Sequence, residues 1–175
     1  MFYEPKKGHP FKIDPYKALV FPRPIGWISS LSKQGIPNLA PYSYFNAVAD
    51  EPPQVMFCSN GDSAYGGFKD SLSNILSTKE FVVNFATSTT RDAMNISSSN
   101  YKPNEDEFVA ARLKKRKSKL VKAPSVNDSP VNLECKLLKT LKLKTNSKKL
   151  STMVIGEVIG IYINNKFIKN KRVDS

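Results

Sequence analysis

The sequence predicts a mainly β protein with short helices, closed into a small barrel. Three observations predict it. Short extended segments rich in β-branched and aromatic residues follow one another closely, the helical segments are few and short, and long strands do not alternate with long helices. The last point argues against a doubly wound sheet. The 175 residues, 40% of them hydrophobic, suffice for one domain with a real core.

In chain order, residues 1–17 carry Pro5, Gly8, Pro10 and Pro15 and read as an extended N-terminal arm, with a single domain over 18–175. Such an arm gains order only by lying on something, such as a second subunit. Ile25–Ser32 is the first strand, closed by a turn at 33–35, and Asn38–Ala49 is one further extended run. Pro52 and Pro53 break that run before a short buried strand, Val55–Ser59. A loop over 59–67 precedes a helix from Asp70, its predicted N-cap, to Thr78, with Leu72, Ile75 and Leu76 on one face. Phe81–Phe85 is a strand. Thr90 caps a short helix to Asn95, and Asp106–Leu113 forms another. Val131–Leu143, with apolar residues partly alternating with charged ones, is a half-exposed strand. Residues 144–149 form a polar turn, and Met153–Ile163 is the strongest strand candidate in the chain.

Lys and Arg number 27 against 15 Asp and Glu, a net charge of +12. Phosphate-bearing ligands, nucleic acids and anionic surfaces are therefore electrostatically compatible partners. Residues 112–122 hold seven of the basic residues and no acid. That run lacks interleaved aromatics, which argues against nucleic acid and for a solvated loop. Cys58 and Cys135 fit no CxxC, zinc or disulfide pattern and read as buried thiols in a reducing compartment. The N-terminus has no apolar signal core and no run reaches membrane-spanning length, so the expected location is the cytoplasm. The single histidine, His9, lies in the arm, which excludes Ser–His–Asp and Cys–His chemistry. Metal-ligand spacings, GxGxxG and GxxxxGK[ST] are all missing. An enzyme of this composition leaves the hard step to a bound cofactor.

The segments PRPIGWISS (22–30), PNLAPYSYFNAVADEPPQVMF (37–57), KDSLSN (69–74), EFVVNFAT (80–87), DSPVNLECKL (128–137) and VIGEVIGIYI (154–163) together resemble the flavin reductase-like family. The resemblance implies an FMN-binding split β-barrel, a small Greek-key barrel. It also implies a homodimer with FMN near its interface, working as an oxidoreductase that passes a hydride from NAD(P)H to flavin. A flavin carrier or sensor without turnover, and a basic barrel that binds nucleic acid, are the alternatives. Members of the family usually continue beyond the strand that 154–163 resembles, so a shortened C-terminus is expected here.

On that resemblance, Pro41, Tyr42, Ser43, Phe45 and Asn46 would meet the edge of the isoalloxazine. Trp27 would line the ring slot or fill the barrel. Ser29 and Ser30 offer hydroxyls to the phosphate. Lys69, Asp70 and Ser71 stand where a helix begins, a place that favours an anion, with Lys69 adding charge and Ser71 a hydroxyl. Arg23, held between two prolines, is placed to reach a phosphate or to form a surface salt bridge. Asn84 is assigned to the sheet or a turn. No side chain is required as general acid or base, because aligning two rings is a positioning task.

Overall fold

The structure, a computed structural model, describes residues 1–146 and 149–173. Seven antiparallel strands form its main sheet: β1 (Gly26–Leu31), β2 (Pro37–Tyr42), β3 (Phe45–Asp50), β4 (Pro53–Asn60), β5 (Glu80–Asn84), and, further along, Val131–Lys142 and Ser151–Ile163. Two-residue strands β6 (Lys115–Arg116) and β7 (Ser125–Val126) pair with each other, so the last two long strands are β8 and β9. A small ribbon, β10 (Ile168–Lys169) with β11 (Arg172–Val173), follows. The helices are α1 (Tyr16–Leu19), α2 (Asp70–Thr78), α3 (Arg91–Ile96) and α4 (Glu107–Ala110).

The strand order is β2-β1-β5-β8-β9-β4-β3. Its two edges, β2 and β3, are consecutive in the chain and separated only by Ser43 and Tyr44. A flat sheet of seven strands would hold its edges roughly 29 Å apart, at about 4.8 Å per strand step. Two residues cannot span that distance, so the sheet must curl until its edges meet. The single extended run expected over Asn38–Ala49 is therefore two strands, bent at the closure. Tyr42 of β2 packs on Phe57 of β4 with ring centroids 4.7 Å apart, across the interior. The Phe45 ring lies so close to Gly26 that a Cβ there would sit 2.6 Å from it.

The long hairpin supplies the shear. β8 pairs with β5 only over Asn132–Lys136, whereas β9 pairs with β4 only over Ser151–Glu157. Register shifts at Glu134/Cys135 and Leu137/Lys139 bend the hairpin between those two partners. Inside the barrel, Ile28, Val55, Phe57, Phe81, Val83, Cys135 and Val154 form the core, and Leu72 and Ile75 of α2 pack against them. A second layer covers the outer face: Trp27 and Leu39 lie under Phe108 and Val126, while Val82 lies under Val121 and Ala123. β1 is thus buried on both faces, which explains its near-continuous apolar and small-residue character.

Asn84 joins the two layers from a fully buried position. Its amide nitrogen donates to the Trp27 carbonyl (2.9 Å) and Ser29 Oγ (3.0 Å), and its Oδ1 accepts from Val126 N (2.8 Å) and Asn132 Nδ2 (2.6 Å). The basic stretch is likewise held in place. Glu134 accepts from the backbone N–H groups of Lys119 (2.9 Å) and Leu120 (2.6 Å), Glu80 accepts from that of Lys122 (2.6 Å), and the Arg116 guanidinium stacks 3.4 Å from the Tyr162 ring centroid. The loop expected there is thus pinned to β5 and β8, with its lysine side chains turned outward.

The helix expected over Asp106–Leu113 stops at Ala110, because Arg112 adopts a left-handed conformation (φ 54°) and Leu113 N returns to the Phe108 carbonyl. Both cysteines are buried and unpaired. Part of the turn expected over 144–149 lies outside the described residues. Residues 1–17 bury no side chain.

Gly156 of β9 leaves room for the fully buried Phe81 ring, which a Cβ would meet at 2.5 Å. Gly156→Ala is expected to lose about 1–3 kcal/mol by overpacking. Adding Phe81→Leu should return part of that loss relative to Phe81→Leu alone, as read from urea midpoints of the double-mutant cycle.

Candidate functional site

Closure of the barrel leaves a cleft of about 300 Å³ beside the β2–β3 junction. One wall is Ala40–Tyr44, the backbone that joins the sheet edges. The second comes from the end of β4 (Cys58, Asn60), the following loop (Asp62–Ala64) and the start of α2 (Lys69, Asp70, Ser71). The third comes from Ser97–Tyr101 after α3 and from Glu107 of α4, and Lys17 reaches in from the arm.

The start of α2 has an open anion-binding character. Its N-cap residue is Lys69, in extended conformation, and no side chain caps this end. The first-turn N–H groups lack intrahelical partners by geometry, and the helix dipole adds positive potential there. Asp70, expected as the cap, is instead the first helical residue.

Below the cleft runs a buried polar network with a forced direction. Asn38 Oδ1 accepts from Ser71 Oγ (2.7 Å) and Ser30 Oγ (3.3 Å). Its amide nitrogen must then face the other way, and it donates to Glu107 Oε1 (2.6 Å). Glu107 Oε2 accepts from the Leu39 backbone N–H (3.0 Å), so this carboxyl holds α4 to β2. Asn74 Nδ2 donates to Ser30 Oγ (3.1 Å), tying α2 to the same network. Burial pushes the Glu107 carboxyl up to about 7 against three opposing hydrogen bonds, from its own backbone N–H, the Leu39 N–H and the Asn38 amide, and the neighbouring Asp70 charge adds to the rise. Burial also raises Asp70 and Cys58, and lifts the Tyr42 phenol to about 12.

Of the residues singled out by sequence, Pro41, Tyr42, Ser43, Lys69, Asp70 and Ser71 come together on this cleft. The others lie elsewhere. Ser29 and Ser30 are fully buried, and both hydroxyls have protein partners: Ser29 Oγ donates to the Pro124 carbonyl (2.6 Å), and Ser30 Oγ serves Asn38 and Asn74. Trp27 neither lines a slot nor fills the barrel. It sits in the outer layer, where its indole N–H donates to Ser97 Oγ (2.9 Å) and so fixes a residue of the cleft wall.

Arg23 is engaged within the chain. Its guanidinium donates to the carbonyls of Lys17 and Val20 and lies 5.8 Å from the Tyr44 ring centroid, pinning the arm beside the cleft. Phe45 lines a separate apolar cleft with Ile25, Phe85 and Met94, and Asn46 is exposed, its Oδ1 accepting from Ala47 N (3.0 Å). The Ser71 hydroxyl spends its one proton on Asn38, so what Ser71 retains for a ligand is its backbone N–H. Asn84 serves the sheet, as expected.

Sequence reasoning missed Lys17, Asn60, Ser63, Ser97–Tyr101, Asn38 and Glu107. Glu107 had one legible signal: it follows Asp106, whose Oδ1 accepts from Phe108 N (2.9 Å) as an N-cap, which sets the carboxyl of the next residue at a helix start. Among the described residues no His/Cys/Asp/Glu group could hold a metal ion, and no helix is long and apolar enough to cross a membrane.

Residues 18–172 match the flavin reductase like domain. An uncharacterized protein of Aquifex aeolicus is 48% identical over 122 residues, which are 69% of this chain and 61% of that protein. The uncharacterized protein YwrF of Bacillus subtilis is 31% identical, over 87% of this chain and 76% of its own. The chain spans about three-fifths of the length of the first of these relatives. The crystal structure of nitrilotriacetate monooxygenase component B from Bacillus cereus superposes with a TM-score of 0.87 at 29% identity, over 99% of this chain and 86% of that one. Pseudomonas fluorescens 2-nitrobenzoate 2-nitroreductase gives 0.77 at 29% identity, over 93% and 79%. A split-barrel-domain protein of Shewanella frigidimarina gives 0.74 at 21% identity, over 87% and 73%, and shows the fold to be a split barrel.

The raised Glu107 carboxyl has a stability consequence. The unfolded chain ionises this group from about 4.5 upward, while the folded chain keeps its proton to about 7. The folded state therefore binds more protons in that window, and Glu107 lowers stability as pH rises through it. The difference in urea midpoint, wild type minus Glu107→Gln, should fall between about 4.5 and 7 and level off above. A flat difference would contradict the assignment.

Proposed function

The chain belongs to the flavin reductase-like family, and from that premise we propose that it is a flavin oxidoreductase holding FMN in the cleft at the β2–β3 junction. A flavin bound there would supply the redox chemistry, hydride and electron transfer between NAD(P)H and an acceptor. The observation that carries the reading is the uncapped first turn of α2, which shares the cleft with the proline and tyrosines of the β2–β3 junction. The N–H groups of Asp70 and Ser71 and the Lys69 ammonium suit a terminal phosphate. Ala40–Tyr44 suits a flat ring: Pro41 stiffens the strand, and β2 is an edge of the sheet, so one side of its backbone has no strand partner and can meet a polar edge. A cleft of about 300 Å³ is at the small end of the range for such ligands, which leaves part of the ring open to a second nucleotide.

The protein's part is positional. Arg23 holds Lys17 and Tyr44 in place, Trp27 holds Ser97, and Asn38 with Glu107 fixes α4 and α2 around β2. Holding two rings in register is sufficient for hydride transfer, and no side-chain acid or base is needed for that step. The exposed apolar residues of the arm and its continuation, among them Ile13, Leu19 and Phe21, support a homodimer in which this segment lies on a second copy. Two unpaired thiols and a nicotinamide co-substrate suit the cytoplasm.

Lys69→Ala should weaken FMN roughly tenfold or more, the scale of one charge-assisted hydrogen bond, and leave riboflavin binding unchanged because riboflavin carries no phosphate. Ser29→Ala, altered at a fully buried position that does not line the cleft, should keep its FMN affinity in a flavin fluorescence titration, provided it is folded. Equal losses for FMN and riboflavin in Lys69→Ala would overturn the phosphate assignment.

A further inference from the structure

We propose that the open edge of β2 reads the flavin ring by its hydrogen-bonding pattern: the Pro41 carbonyl accepts the N3–H of the isoalloxazine, the one N–H that an oxidised flavin ring carries. This rests on the flavin reading above and adds to it the group that selects a ring with that donor.

Strand parity fixes which backbone groups of β2 face outward. In an antiparallel ladder, successive residues bond alternately to one neighbouring strand and to the other. Phe85 N donates to the Val131 carbonyl, and the Lys79 carbonyl accepts from Leu137 N. The odd-numbered residues along β5 therefore bond β8, which leaves Val82 and Asn84 to bond β1. Those two stand opposite Ser29 and Trp27, so on β1 the odd residues face β5, and Gly26, Ile28 and Ser30 bond β2. Their partners are Tyr42, Ala40 and Asn38. Pro37, Leu39 and Pro41 thus turn their backbone groups away from the sheet. The Leu39 N–H gives the same parity independently, because it donates to Glu107 of α4 (3.0 Å).

Every outward N–H of β2 is thereby missing or used. Positions 37 and 41 are prolines, which have none, and the Leu39 N–H is held by Glu107. The edge is left with carbonyl oxygens alone. Prolines on an edge also keep the strand from pairing with another chain. Pro41 differs from the other two outward residues in that it alone of the three lines the cleft. Among the described residues no donor bonds its carbonyl oxygen.

A flat ligand lying on that wall displaces water from the Pro41 carbonyl and has to supply a donor in its place. An oxidised isoalloxazine offers acceptors along most of its polar rim. Its single ring donor is N3–H, set between two ring carbonyls. An acceptor-only wall therefore selects the orientation that turns this end of the ring toward Pro41. The backbone N–H groups of Ser43 and Tyr44, which follow at the bend and have no partner among the described residues, suit the flanking ring carbonyls.

The test uses the wild-type protein and changes the ligand, because a backbone carbonyl cannot be removed by substitution. Fluorescence titrations with FMN and with N3-methyl-FMN should differ, the methylated flavin binding about tenfold more weakly or worse, the scale of leaving one polar group without its hydrogen bond. In a 1H–15N spectrum of the complex with 15N-labelled FMN, the N3–H proton should be shifted downfield from its position in free FMN, which separates a hydrogen bond from mere steric exclusion of the methyl group. N3-methyl-FMN binding as tightly as FMN, or an N3–H resonance where free FMN has it, would overturn this inference while leaving the FMN site standing. The absence of any flavin binding to the folded protein would overturn the site and the inference together.

Discussion

Two residues, Ser43 and Tyr44, join the opposite edges of a seven-stranded sheet, and the remaining architecture follows from that short connection. The sheet has to close, so its interior can be filled by single large rings such as Phe57 and Phe81, stacked edge to face at 5.8 Å. Closure also demands shear, and β8 and β9 provide it by trading partners from β5 to β4 along their length. The cleft lies at the place where the edges meet. It is bounded by the joining backbone on one side and by α2 on another, so the fold that requires the junction also creates the site.

The polar residues around the cleft do structural work first. Asn38, Ser30, Ser71, Asn74 and Glu107 form a buried network in which each donor has an acceptor, and that network fixes the directions of β2, α2 and α4. Asn84 performs the corresponding task between the barrel and its outer layer. Buried amides and hydroxyls satisfied in this way specify one arrangement, because any other leaves unpaired groups in a medium of low polarity. A preorganised cleft is a result of that specification. Ligand contacts are then left to groups the network does not use: backbone N–H, the Lys69 ammonium and the tyrosine-lined wall.

Much of the fold was legible in the sequence because local patterns and tertiary structure agree. Val82, Val83 and Phe81 make a strand on any reading, and the Asp70–Thr78 helix was visible from Leu72 and Ile75. The break at Ser43–Tyr44 was not visible, because the residues there favour extended backbone and only ring closure forces the bend. The site was half legible. Pro41–Ser43 and Lys69–Ser71 are contiguous motifs at element ends, and these do meet on the cleft. Ser29, Ser30 and Trp27 looked equally suited by residue type, yet they lie on a strand covered on both faces, which no local pattern reveals. Glu107 and Ser97–Tyr101 escaped notice because they reach the cleft only through the outer layer, far from it in sequence.

The most direct test of the account is a crystal structure of the protein with FMN, read at one place. Phosphate density is expected against the backbone N–H groups of Asp70 and Ser71, within reach of Lys69, and ring density along Pro41–Tyr44. Phosphate density instead beside the separate apolar cleft of Phe45 and Arg91, or a fully formed FMN complex that leaves the first turn of α2 without an anion, would contradict it.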